Sequence, residues 1–345
     1  MSEWKEYKLG DIATLNYGKA LKEVERLPGN VPVYSSAGIT GFHNEALINS
    51  KGIIVGRKGT VGKVYKSKTP FCCIDTAYFI LPNDSKYDFD FLYYLLQTIG
   101  LEELNEDSAV PGLNRETAYK QELKLPSIPE QTAIASVLSS LDDKIDLLHH
   151  QNATLEKMAE TLFRQWFVEE AKEEWEMGKI DDLFVLQRGF DLPLQNRIQG
   201  EYPIYASSGE SGYHYEYKVK GPGVTTGRSG ILGNVFYIQE DYWPLNTSLF
   251  IKEFKNSSPL HSYFVLKTID LKSFNAGSAV PTLNRNHLHE FPVEIPPLNL
   301  ISKFDKFAIP LFKKINQNKS QIRTLTALRD TLLPKLMSGE VRVNR

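Results

Sequence analysis

Between residues 134 and 166 the apolar positions fall at Ile134, Leu138, Leu141, Ile145, Leu148, Leu155, Ala159, Leu162 and Trp166, and Asn152 is the one polar break. The steps alternate between four and three. A 3.5-residue period marks a helix lying against another helix along a narrow seam. At ~1.5 Å per residue the helix would be roughly 50 Å long, too long for the interior of a small domain. It needs a partner. Shifting the pattern by 170 gives one: Phe304, Ala308, Leu311, Ile315, Asn318, Ile322, Leu325, Arg329, Leu332 and Leu336. Short β-branched and aromatic runs bounded by Gly, Pro and Asn predict strands at 52–55, 61–65 and 77–81, and again at 223–226, 234–238 and 248–251. Helical spacing predicts helices at 90–99 and 259–268. Proline-rich extended segments at 123–129 and 291–297 close each set.

The whole chain is doubled. PVYSSAGITGFH at 32–43 returns as PIYASSGESGYH at 203–214, and GRKGTVG at 56–62 as GRSGILG at 227–233. SAVPGLNR at 108–115 returns as SAVPTLNR at 278–285, with seven of eight positions identical. A period of about 170 residues is too long for a solenoid, so two copies of an entire module are expected. The fold class is mixed α/β: two similar domains, at 1–129 and 173–297, joined by two long helices, at 130–172 and 298–345, with pseudo-twofold symmetry. Glu130-Gln131 becomes Leu300-Ile301 in the second copy, and Pro310 predicts a kink or a later start for the second helix.

Charge decides how the helices pair. Residues 130–176 hold 11 acidic and 4 basic side chains, and residues 301–345 hold 10 basic and 3 acidic. Opposite charge favours pairing of unlike helices. An antiparallel pair symmetric about residue 150 sets Asn152 opposite the equivalent of residue 148, which is Asn318. The two polar seam residues then share a layer and fix the register.

The bulk composition adds bounds. The 345 residues are 41% hydrophobic, with a formal net charge of -2. No apolar run approaches the ~18 residues of a membrane span. The two cysteines, Cys72 and Cys73, are adjacent, which is no disulfide framework and fits a reducing cytoplasm. The glycines at 56, 59 and 62 followed by Lys63 do not make a phosphate loop. Val64 stands where Ser or Thr must hold magnesium, and the second copy has Asn234 for Lys63. They are better explained as tight turns. The histidines show no metal-like spacing, and Pro296-Pro297-Leu298 is not an amino-methylating motif.

What remains points to binding. Residues 51–70 carry Lys51, Arg57, Lys58, Lys63, Lys66 and Lys68 and no acid, a basic, Gly-turned hairpin suited to phosphates. Arg57 and Arg228 are the shared cations, each able to pair bidentately with guanine or phosphate, or internally with a carboxylate. Ser35, Ser36 and His43, with their partners Ser207, Ser208 and His214, form polar loops that either read base edges or cap turns. Asn114-Arg115 and Asn284-Arg285 either contact the DNA backbone or cap the segment that follows. Lys58 changing to Ser229 inside a matched frame is expected if the two modules read different sequences.

SIPEQ at 127–131, IASVLSSLDDKI at 134–145, LFRQWF at 162–167 and LLPKLMSGEV at 332–341 resemble the central and C-terminal helices of the specificity subunit of type I restriction–modification systems. The resemblance covers the whole chain. It implies two target-recognition domains, each reading half of a split site in double-stranded DNA, with the paired helices as a ruler between the halves. It implies docking of two methyltransferase subunits and of restriction subunits. It implies no catalysis in this chain, with S-adenosylmethionine, ATP and Mg on those partners. The competing readings are a compact nuclease or methylase, a related restriction–modification subunit with fused partners, and a coiled-coil scaffold whose end domains bind protein.

Overall fold

The computed structural model describes residues 4–104, 112–171, 174–275 and 281–343. Residues 108–111 and 278–280 of the shared eight-residue motif lie outside them. The chain divides into two compact units. Unit 1 is Met1–Asp146 with Ile322–Arg345, and unit 2 is Leu147–Gln321.

In chain order, unit 1 holds β1 (Lys5–Lys8), α1 (Leu9–Ile12), β2 (Asn16–Tyr17), β3 (Val31–Ser35), β4 (Gly38–His43), β5 (Gly52–Gly56), β6 (Val64–Ser67), β7 (Cys72–Cys73), β8 (Ala77–Ile80), α2 (Phe89–Leu96), α3 (Arg115–Tyr119) and β9 (Glu122–Leu125). The long helix α4 (Ile128–Arg164) follows. One antiparallel sheet has the order β2-β8-β5-β6, and a second has the order β4-β3-β7, with β3 and β7 parallel. Every residue of β5 is buried, so it reads as a continuous apolar run. β1 pairs with β9, which brings the start of the domain to the segment that enters α4.

Unit 2 repeats this plan: β10 (Glu176–Lys179), α5 (Ile180–Leu183), β11 (Phe184–Arg188), β12 (Tyr202–Ala206), β13 (Gly209–His214), β14 (Gly223–Gly227), β15 (Val235–Ile238), β16 (Trp243–Pro244), β17 (Ser248–Phe254), α6 (Pro259–Thr268), α7 (Arg285–His289) and β18 (Pro292–Ile295). The long helix α8 (Leu298–Ser338) follows; its residues to Gln321 belong to unit 2 and those from Ile322 to unit 1. The sheets of unit 2 run β11-β17-β14-β15 and β13-β12-β16. Cys72-Cys73 and Trp243-Pro244 occupy the same strand in the two copies. Both thiols are buried and free, and burial pushes the Cys73 thiol up to about 12, which leaves it inert.

The long helices start at equivalent positions despite the loss of Glu130-Gln131 in the second copy. α4 enters through Ser127, whose carbonyl accepts from the Glu130 and Gln131 amides, and α8 enters through Pro297 in the same way. The later start expected from Pro310 does not occur, because α8 begins at Leu298 and continues through it. Pro310 and Lys306, whose carbonyl loses its partner, are both exposed. Water can therefore satisfy that carbonyl, and buried Phe304, Ala308 and Phe312 hold the segment down. α4 ends in a π-turn, Gln165–Glu169.

Within each unit the helix segments are antiparallel. In unit 1 Arg342 bonds Glu130 and Arg329 bonds Asp142. In unit 2 Asn318 bonds Asn152, Nδ2 to Oδ1 at 2.9 Å. Asn318 is fully buried and Asn152 half-buried. The buried stripe is wider than the seam, since each helix also packs on its domain. Ala135, Phe163, Phe167 and Phe312 are buried beside the seam positions. Among the described residues no helix is long and apolar enough to cross a membrane.

Candidate nucleic-acid interface

In unit 1 the chain turns sharply after β5. Gly59 sits at φ +80°, a region costly for any residue with a Cβ. The amides of Arg57 and Lys58 both donate to the Thr76 carbonyl, and the Arg57 carbonyl accepts from the Leu113 amide at 2.8 Å. A β-bridge joins Lys58 to Gly112. These bonds stitch the basic turn to the start of α3. Unit 2 does the same. Arg228 and Ser229 donate to the Thr247 carbonyl, Leu283 donates to the Arg228 carbonyl at 2.8 Å, and Ser229 bridges Thr282.

The result in unit 1 is an open cavity of about 420 Å³ lined by Tyr17, Arg57, Lys58, Tyr78, Asn114 and Arg115, among others. Arg57 Nη1 donates to the Asp75 carbonyl at 2.8 Å. The guanidiniums of Arg57 and Arg115 lie 5.0 and 5.2 Å from the centre of the Tyr17 ring, within cation–π range. Arg115 Nε also lies 3.4 Å from the Glu116 carboxylate. Tyr78 donates its hydroxyl to the Leu113 carbonyl; burial first, and its tyrosine neighbour second, push its phenol up to about 12.

Unit 2 builds the same frame with other side chains. Arg188 stands where Tyr17 stands in unit 1. Arg228 Nε donates to the Asn246 carbonyl at 2.9 Å, the equivalent of Asp75. Arg188 pairs with Asp191 at 3.6 Å, and Asn246 Nδ2 donates to the same carboxylate. Burial and then repulsion from Arg188 hold the Arg228 guanidinium below its usual range, offset in part by Asp191. Arg285 opens α7 and is exposed.

Several candidate residues have internal duties instead. Asn114 Oδ1 accepts from the amides of Glu116 and Thr117, and Asn284 Oδ1 from that of Asn286. Both are helix caps, which leaves outward contact to the arginines after them. Ser35 Oγ bonds the Gly38 carbonyl and the Ala37 amide within its own turn. Ser36 and Ser207 are buried at 7% and 8% exposure, their amides donating to Thr76 and Thr247. His43 Nδ1 accepts from the Leu27 amide, and His214 Nδ1 from that of Ile198. His214 is also buried edge-on to Trp243. These histidines latch a preceding loop to a hairpin through Nδ1. Lys63 pairs with Glu102 at 3.2 Å and does not line the cavity. Ser208 is exposed. Arg57, Lys58 and Arg115 are therefore brought together in unit 1, and Arg228 and Ser229 are tied to the start of α7 in unit 2.

Tyr17 and Arg188 escape a reading based on motifs. The signal is the glycine after each. A Cβ on Gly18 would come within 2.1 Å of the Ile74 carbonyl oxygen, and one on Gly189 within 2.2 Å of that of Leu245. Only glycine lets the backbone pass there, and the passage carries the preceding side chain to the arginine.

The model of the type I restriction modification DNA specificity domain matches residues 1–157 and 172–324. The MjaIX specificity subunit of a type I restriction enzyme from Methanocaldococcus jannaschii is 26% identical, over 99% of this chain and 94% of that protein. A putative type I specificity subunit from Mycoplasma genitalium is 23% identical, over 96% and 93%. The crystal structure of a type I restriction–modification S subunit from M. genitalium has the same fold, with a TM-score of 0.69 at 21% identity, covering 97% of this chain and 96% of that one. With its duplicated domains and its matched, arginine-bearing cradles, the chain belongs to the type I restriction–modification DNA specificity family.

Proposed function

We propose that each unit reads one half of a split target in double-stranded DNA, and that the chain is a non-catalytic subunit directing partner enzymes to that target. One observation carries this. In both copies, backbone hydrogen bonds from Leu113 to Arg57 and from Leu283 to Arg228 fix an arginine turn beside a second, arginine-started helix. A paired cationic frame, present once per repeat, suits a ligand with a repeating anionic backbone and half-sites that differ. The relatives named as type I specificity subunits support assembly with two methyltransferase subunits and with restriction subunits. In that assembly S-adenosylmethionine, ATP and Mg belong to the partners. Buried, free cysteines fit a cytoplasmic setting.

The test is duplex DNA binding by the chain with its methyltransferase partner across a salt series. Sequence-specific binding with a steep salt slope is expected. Arg57→Ala should relax one half-site, by ~1–3 kcal/mol, and leave the other intact; Arg228→Ala should weaken binding through unit 2. Absence of specific binding, or cleavage or methylation of DNA by the chain alone, would overturn the proposal.

A further inference from the structure

The two cradles share a frame but differ at the residue ahead of the glycine, and that difference changes their physics. In unit 1 Arg57 is held at three points: Nη1 on the Asp75 carbonyl, its face over Tyr17, and Tyr78 at 5.8 Å. Arg115 is held by the same Tyr17 ring and by Tyr119 at 5.8 Å. Two flexible cations are thereby ordered by one tyrosine. With Nη1 taken, Arg57 presents its Nε and Nη2 edge. A fork fixed before binding discriminates, because a mispositioned acceptor cannot be followed by rotation of the side chain.

In unit 2 Arg188 takes the place of the ring. It adds a like charge instead: it pairs with Asp191 at 3.6 Å, Asp191 accepts from Asn246, and the Asn246 carbonyl holds Arg228, so both cations reach the same pair of residues. With Nε taken by the Asn246 carbonyl, Arg228 presents its Nη1 and Nη2 end. Asp191 compensates only part of the excess, since one carboxylate faces two cations. A pair of cations with incomplete neutralisation gains when an anion sits between them, whatever base the anion is attached to.

We propose that Tyr17 is a positioning residue that makes the unit 1 cradle a sequence reader, while Arg188 makes the unit 2 cradle a clamp on a DNA phosphate. This rests on the DNA-binding reading above. The experiment uses the full chain in complex with its methyltransferase subunits and duplexes selected by the wild type from a randomised pool. The unit 1 half-site is the one relaxed by Arg57→Ala. Tyr17→Leu should reduce discrimination at that half-site about tenfold and leave the salt slope unchanged, and Tyr17→Phe should restore it. Arg188→Ala should weaken all duplexes alike and lower the slope of log affinity against log salt by about 0.9. If Tyr17→Leu lowers affinity uniformly, if Tyr17→Phe fails to rescue, or if Arg188→Ala leaves the slope unchanged, the assignment is wrong. If the wild type selects no sequence at all, the DNA-reading function itself falls, and that outcome is distinct from failure of the variants.

Discussion

His261 is fully enclosed in unit 2, its Nδ1 2.7 Å from Ser257 Oγ and its ring packed on Phe163 and Phe167. Burial lowers its pKa from 6.5 to about 3. The folded state therefore holds it neutral. Its contribution is complete above pH 6.5 and is lost as the pH falls from there towards 3, at ~1.4 kcal/mol per unit. His289 acts in the same direction. Burial lowers its pKa, and its Nε2 must stay unprotonated to accept from the Leu186 amide. In unit 1 the equivalent bond runs from the Leu15 amide to the Tyr119 hydroxyl, with no imidazole in the bond. Acid unfolding should begin in unit 2, and His261→Gln should flatten the dependence of its urea midpoint on pH between 6.5 and 4. A midpoint with unchanged pH dependence in the variant would count against this. Neither histidine stood out in the sequence, because their roles depend on what surrounds them. Arg57 and Arg228 did stand out, since charge beside paired glycines is visible without coordinates.

Matched elements carry unmatched chemistry where β6, α2 and α4 meet in unit 1. Lys66 bonds Asp90 at 2.6 Å and lies over Tyr93. Tyr94 donates to Asp142 at 2.6 Å, and Arg329 Nη1 donates to the same carboxylate at 2.9 Å. The network borders a cavity of about 490 Å³. In unit 2 the equivalent places hold Tyr237, Tyr263, Phe264 and Phe312, with rings 4.9–6.2 Å apart. Asp142→Ala should destabilise unit 1 by ~1–3 kcal/mol by stripping bonds from Tyr94 and Arg329, and by less in molar salt. Phe312→Ala should cost unit 2 about 3–5 kcal/mol at any salt. Denaturant melts at two ionic strengths separate the two. The helices and the strands made of β-branched and aromatic runs were legible, because those runs and the helical stripes survive in both copies. The stretches read as polar loops around Ser35 and His43, and around Ser207 and His214, are instead the hairpins β3-β4 and β12-β13, whose Gly and Ser content hides strand pairing. The width of the buried helix stripe was not. A seam predicts Leu162 and Trp166, whereas Phe163 and Phe167 are buried because α4 faces a domain as well as α8. Pro310 misled because its exposure, which makes it tolerable, is not written in its identity.

Across the whole molecule a net charge of -2 conceals two helices of opposite sign, and the duplication was the most legible feature of all. Repeats mark both copies of a module, but they do not say which stretch of chain completes which. The antiparallel pairing does. Leu336 and Met337, from the last turns of α8, lie in the core of unit 1 with Leu9, Phe91, Ile134 and Leu138, and Arg342 stacks on Trp4. Unit 2 is one uninterrupted run of chain, whereas unit 1 is assembled from two pieces. Synthesis from the N-terminus therefore gives an inverted order of folding. The module translated first waits, with Ile134 and Leu138 uncovered, until the ribosome reaches the final stretch, while the module between the two pieces has all its parts. A released chain truncated after residue 321 should yield a protease-resistant fragment from unit 2 and none from unit 1. Equal protection of both would show that unit 1 closes without its second piece.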